Sequence, residues 1–155
     1  MTRCLLTLSA LAAVLGWGVA PASAQTTKAA KVTVVQSDLY GAYLANATGR
    51  TLYMFTADQQ SNDKAKAVSN CYDACAKAWP PLLTGKKPEA GAQIQVSLLG
   101  TVQRKDGTMQ VTYNGWPLYY FSRDKGAGET TGQDVHGFGG EWYLITPKGT
   151  KAKEG

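Results

Sequence analysis

Short apolar runs, separated by clusters of glycine, asparagine and aspartate, recur in two sets along this chain. Residues 32–37, 43–45 and 51–56 form the first set; after a break, residues 98–103, 109–113, 116–122 and 142–146 form the second. Runs of this length, rich in valine, threonine and aromatic residues, predict β-strands. Asp106-Gly107 and Asn114-Gly115 separate runs of the second set, and both pairs suit the two-residue hairpin turn whose central residues take positive φ. The second set is therefore expected as a meander. The first set has Gly41 and residues 46–49 as its turns, so its second hairpin loop is expected to be the longer.

One run in each set is apolar on both faces. Leu52 and Met54 point one way and Tyr53 and Phe55 the other, and Leu118, Tyr120, Tyr119 and Phe121 repeat the arrangement. Such a strand is expected to be covered on both sides, one face against the sister unit and the other beneath the long segments 59–78 and 125–141. Each long segment ends in a tryptophan strand, Trp79-Pro-Pro-Leu-Leu and Trp142-Tyr-Leu-Ile. The apolar runs are near copies: Gly49-Arg-Thr-Leu-Tyr-Met-Phe-Thr-Ala-Asp58 returns sixty-six positions later as Gly115-Trp-Pro-Leu-Tyr-Tyr-Phe-Ser-Arg-Asp124. A fixed period of this length marks a duplicated supersecondary unit. The expected fold is all-β and mainly antiparallel. Two pseudo-symmetric β-meander repeats, about 32–84 and about 98–147, pack as one domain with long lids and at most a short helix near Cys75.

The first residues predict export. Arg3 gives a positive start, residues 5–19 an apolar stretch, and Ala22-Ser23-Ala24 a small-residue cleavage site, so residues 1–24 are expected as a signal peptide and 25–155 as the mature domain with basic flexible tails. The apolar stretch is short for a bilayer span, so no span is expected in the mature form. Cys4 precedes the apolar stretch and leaves with the signal. The net charge of +5 owes much to the flanking Lys28, Lys31, Lys148, Lys151 and Lys153. Basic residues are not interleaved with an aromatic reading surface, which argues against a nucleic-acid partner and leaves a weak attraction to anionic envelope polymers.

The twin Tyr-x-Phe-x-x-Asp motifs come with Cys71-Tyr-Asp-Ala-Cys75-Ala-Lys-Ala-Trp79-Pro-Pro-Leu in the first unit and Gly137-Phe-Gly-Gly-Glu-Trp142-Tyr in the second. Together they resemble the secreted-repeat family lipoprotein 15 over nearly all of the mature chain. The resemblance implies a bacterial envelope protein, often lipid-anchored in that family, and a repeat architecture; it brings no settled biochemical activity. No cysteine stands at the cleavage point here, so a soluble form is expected, either periplasmic or secreted.

Cys71 and Cys75 are the cysteines that remain after cleavage, and an even pair in an exported protein favours a disulfide. A regular helix would hold them badly for a bridge, so the segment is expected to tighten into a turn first. A competing reading joins Cys71, Cys75 and His136 as a copper site, since thiolates and imidazole suit that metal, or as a thiol-redox centre. The carboxylates Asp124, Glu129 and Asp134 lack EF-hand spacing for calcium. No serine stands in a Gly-x-Ser-x-Gly elbow. Acids at equivalent places in two repeats, Asp58 and Asp124, are more simply caps that accept backbone N–H groups where the chain turns into each lid than a catalytic pair.

Tyr53, Phe55, Asp58, Tyr119, Phe121 and Asp124 are therefore expected as the architectural motif, and Trp116, where the first unit has Arg50, as a partly exposed candidate for ligand contact. The sequence favours an exported, non-enzymatic binding or structural repeat protein of the envelope, without a cofactor, that meets an envelope component or a small ligand. The alternative is a copper-binding or thiol-redox accessory protein.

Overall fold

The computed structural model describes residues 28–152, so the expected signal peptide at 1–24 and the end of the basic tail lie outside the described residues. The valine-rich run forms β1 (Lys31–Ser37), which pairs antiparallel with β2 (Gly41–Asn46). A three-residue loop closed by Asn46 and ending at Gly49, φ 81°, leads to β3 (Tyr53–Phe55). The lid that follows carries α1 (Ala74–Ala78), and beyond the first tryptophan strand β4 (Glu89–Ala90) lies parallel against β1. In the second unit β5 (Leu99–Gln103), β6 (Met109–Tyr113) and β7 (Trp116–Pro117) form an antiparallel meander. Finally β8 (Val135–Gly137) and β9 (Gly140–Leu144) form a hairpin whose second strand pairs with β3. Among the described residues the fold is all-β and mainly antiparallel, with one short α-helix that contains Cys75 and a single 3-10 turn at Val96–Leu98.

Local differences from the sequence expectations have backbone causes. Asn114 and Gly115 both take positive φ, 47° and 77°, as a two-residue hairpin turn requires. At Asp106-Gly107 only the glycine does, φ 82°, and Arg104 N–H donates to Thr108 O at 2.9 Å, so the loop is three residues long and ends in a glycine bulge. The segment 125–141, expected as a lid, contains β8. Its turn residues Phe138 and Gly139 have φ 57° and 85°, a hairpin signal hidden because phenylalanine is an unusual residue for that position.

The two repeats meet along their motif strands. Tyr53 N–H donates to Tyr119 O at 2.8 Å and Tyr119 N–H donates to Tyr53 O at 3.0 Å. A residue that pairs reciprocally with its own counterpart sits on a local two-fold axis. Around this axis Pro81, Tyr119, Tyr53 and Leu144 make one rung across four chain segments, so each motif strand has the sister motif on one side and a tryptophan segment on the other.

The sister unit is thus reached edge to edge, and each face of the motif strands is covered by both repeats. This corrects the expectation of one face against the sister and the other beneath the lids. On one face lie Leu52, Met54, Leu118, Val32, Leu44, Val111 and Ile145. On the other lie Tyr53, Phe55, Tyr119 and Phe121 with Trp79 and Trp142, covered by the Cys71–Cys75 part of the first lid. There Phe55, Trp142, Trp79 and Phe121 stack in that order at 4.0, 3.9 and 4.0 Å between ring centres. The equivalent tryptophans face each other at the centre with an interplanar angle of 2°. Stacked aromatic pairs add about 0.5–1.5 kcal/mol each beyond simple burial.

Truncation of either outer ring tests this core. Phe55→Ala and Phe121→Ala should each cost about 3–5 kcal/mol in denaturant unfolding, and by similar amounts, because they occupy equivalent ends of one stack.

Candidate functional site

The repeated residues gather at the axis, and their polar groups cross it. Tyr53 Oη donates to Asp124 Oδ2 at 2.6 Å, and Tyr119 Oη donates to Asp58 Oδ2 at 2.7 Å. Each tyrosine therefore serves the aspartate of the other repeat. The second carboxylate oxygens hold the lids: Asp58 Oδ1 accepts Asn70 N–H at 2.7 Å, and Asp124 Oδ1 accepts Thr131 N–H at 3.1 Å and its hydroxyl at 2.6 Å. The backbone partners come from where each lid returns, not from where the chain leaves its strand. The phenol oxygens accept in turn, Tyr53 from Gly132 N–H at 3.2 Å, while Tyr119 shares a hydrogen bond with Ser69 at 2.8 Å.

The motif glycines complete the crossing. Ser61 N–H donates to Gly115 O at 3.1 Å and Gly128 N–H donates to Gly49 O at 3.0 Å, so each lid docks on the hairpin turn of the other repeat. A β-carbon at Gly49 would lie 3.0 Å from Ala127 Cβ, and one at Gly115 would strike Ser61. Positive φ and this close approach together require glycine at both places. Gly, Leu, Tyr, Phe and Asp of the shared motif thus each have a structural partner.

A second polar group, absent from the sequence reading, braces the first lid. Arg104 is 4% exposed; one guanidinium nitrogen donates to Ser69 Oγ at 2.6 Å and Gln110 Oε1 at 2.7 Å, and the other to Cys71 O at 2.7 Å. Its plane lies 4.3 Å from the Tyr72 ring centre. Next to an Asp-Gly turn, an arginine reads as a solvated hairpin charge, and the sequence carries no signal of this burial. The pairing of Val34 with Leu44 and of Thr101 with Val111 makes Ser37 the counterpart of Arg104, so the brace belongs to one repeat.

Burial is the largest influence on the titration of Asp58 and of the two phenols. It pushes the Asp58 carboxyl from 3.8 up to about 6, against the lowering effects of the Tyr119 hydroxyl, Asn70 N–H and the Arg104 charge. Burial likewise drives the Tyr119 and Tyr53 phenols upward, and the neighbouring aspartates reinforce the rise. Asp58 is 7% exposed, Asp124 1% and both tyrosines 0%, so the group meets no substrate-sized opening.

Cys71 and Cys75 are joined as a disulfide, with Cys71 ahead of α1, Cys75 within it and Asp73 between them at φ 51°. A ring this small stabilises by about 2 kcal/mol in the loop-entropy picture. His136 stands on β8 with its side chain 69% exposed, 3.8 Å from Asp134 and Glu141. Among the described residues no three histidine, cysteine or acidic side chains group closely enough to hold a metal ion. Of the acids at 124–134, Asp124 is held in the core and Glu129 accepts Lys125 N–H at 2.6 Å. Trp116 is half-buried against the aliphatic cluster.

Three experiments test the crossed centre. Asp58→Ala and Asp124→Ala should each lose roughly 1–3 kcal/mol or more by leaving buried donors unpaired. A double-mutant cycle should show coupling of Asp58 with Tyr119→Phe but near-additivity with Tyr53→Phe. The folded state also holds a proton on Asp58 between about pH 4 and 6 that the unfolded chain has released. Stability from this carboxyl is fullest below pH 3.8 and falls by roughly 3 kcal/mol as pH rises through about 6. Urea unfolding across that range should show the fall in the native protein and its loss in Asp58→Asn.

No curated protein and no solved structure matches the chain. A family described as a secreted repeat of unknown function matches it twice, over residues 33–83 and 100–146, and these bounds fall on the two halves that meet at the axis. The chain belongs to that family, lipoprotein 15.

Proposed function

We propose that this protein is an exported, non-enzymatic binding or structural module of the cell envelope. One observation carries the reading: the acids and phenols that the duplication preserves are buried and spend their hydrogen bonds on each other and on the lids. A catalytic pair would need to face a substrate, and these groups face the sister repeat. Two surface clefts of about 450 Å³ each are lined chiefly by lysines, threonines and apolar residues, and Asp58 and Asp124 line neither. Such surfaces suit recognition of a partner. The disulfide and the basic ends fit residence outside the cytoplasm, in the periplasm or beyond.

Purified mature protein, mixed with membrane and wall fractions of the exporting cell, should sediment with one of them, carry no stoichiometric copper, and keep that retention in a folded Asp124→Asn variant. Loss of retention in a variant of native stability would make the motif a functional site. Failure of the native protein to associate with any fraction would remove the binding role.

A further inference from the structure

The first strands of the two repeats are equivalent, yet their outer edges differ. Val34 of β1 pairs with Leu44 as Thr101 of β5 pairs with Val111; Leu44 N–H donates to Ile145 O as Val111 N–H donates to Leu82 O. The β1 edge is covered by the chain itself. Glu89 N–H donates to Ala30 O at 2.8 Å and Gly91 N–H donates to Val32 O at 2.7 Å. A β-carbon at Gly91 would come within 2.8 Å of Val32 O, which shows how closely this segment seats.

Among the described residues β5 has β6 on one side and no strand on the other. Asn114 N–H donates to Leu98 O and Arg104 N–H to Thr108 O, which fixes the alternation of the ladder. The N–H and C=O groups of Thr101 and Gln103 therefore point away from β6, and both residues are exposed. Open edges are usually blocked by charge or proline. Leu99-Gly-Thr-Val-Gln103 carries neither.

Beside this edge lies a cleft of about 450 Å³ between residues 84–88 and the first half of β5. Lys86, Lys87, Pro88, Leu99, Thr101 and Met109 line it, and no carboxylate does. Resting on the binding role proposed above, we propose that the β5 edge docks an extended acidic segment of a partner protein, which adds to the sheet as a strand and turns its carboxylates to Lys86 and Lys87. In strand addition the backbone supplies affinity and alternate side chains supply choice. The molecule already holds an example: Pro88-Glu89-Ala90-Gly91 is an extended, acid-bearing segment laid on β1, with Glu89 in register with Lys31.

The test uses the mature protein and labelled peptides of alternating glutamate and valine, with alternating lysine and valine as the control. The glutamate peptide should bind and slow amide exchange at Thr101 and Gln103. Thr101→Pro removes an N–H that the β5–β6 ladder does not use, and should weaken binding by about tenfold or more. If that variant proves unstable, Lys86→Glu with Lys87→Glu, both on exposed side chains, should weaken the glutamate peptide and favour the lysine peptide. Equal binding of both peptides, or full binding by the variants, overturns the proposal. So does a concentration-dependent dimer that Thr101→Pro abolishes, which would assign the edge to a second copy. Retention of native protein and of Thr101→Pro alike on envelope fractions would leave the binding role standing while this edge fails; retention of neither would remove both.

Discussion

The reciprocal pairing of Tyr53 with Tyr119 sets the positions of almost everything else. Two backbone hydrogen bonds at this point place the repeats about a common axis, and the side chains on either hand then have no freedom to choose other partners. The phenols reach the opposite aspartates, the outer phenylalanines sandwich the paired tryptophans, and the lids cross to the opposite turns. A hydrogen bond buried at such a crossing is expensive to leave unmade, which makes the arrangement selective as well as stabilising. Neither repeat contains its own complete core.

Symmetry at the axis coexists with divergence away from it. The lid of the first repeat carries the disulfide and α1 and is braced by Arg104 from the second repeat; the lid of the second repeat carries β8, and among the described residues it has no such brace. The centre tolerates little change because each side chain there is matched to its counterpart. The lids and outer edges are matched only to their own neighbours. Divergence between the halves is accordingly concentrated where the repeats do not touch their own images.

The runs that form β1, β2, β5 and β6, the alternation of Leu52 and Met54 against Tyr53 and Phe55, and the cysteine bridge were legible because each follows from local pattern or composition. The use of both faces by both repeats was not. Alternation tells which side chains share a face, but no local rule says that the motif strand pairs with its own copy. The aspartates at 58 and 124 read as caps to their own lids, and their other oxygens turned out to accept from the opposite tyrosines. Arg104 was invisible because its partners Ser69, Gln110 and Cys71 come from separate segments, and only the folded chain brings them together.

An axis that relates a chain to itself has an interface of the kind found in homodimers, in which the same patch appears on both sides. The contacts of the Tyr53–Tyr119 axis contain nothing that identifies the two repeats as belonging to one polypeptide. What selects the internal partner is the tether between them, residues 84–98, which holds the second repeat at a high effective concentration near the first. Shortening that tether below the span it must cross would leave every axis contact available but force it between molecules, and the same two halves would then assemble as an exchanged pair.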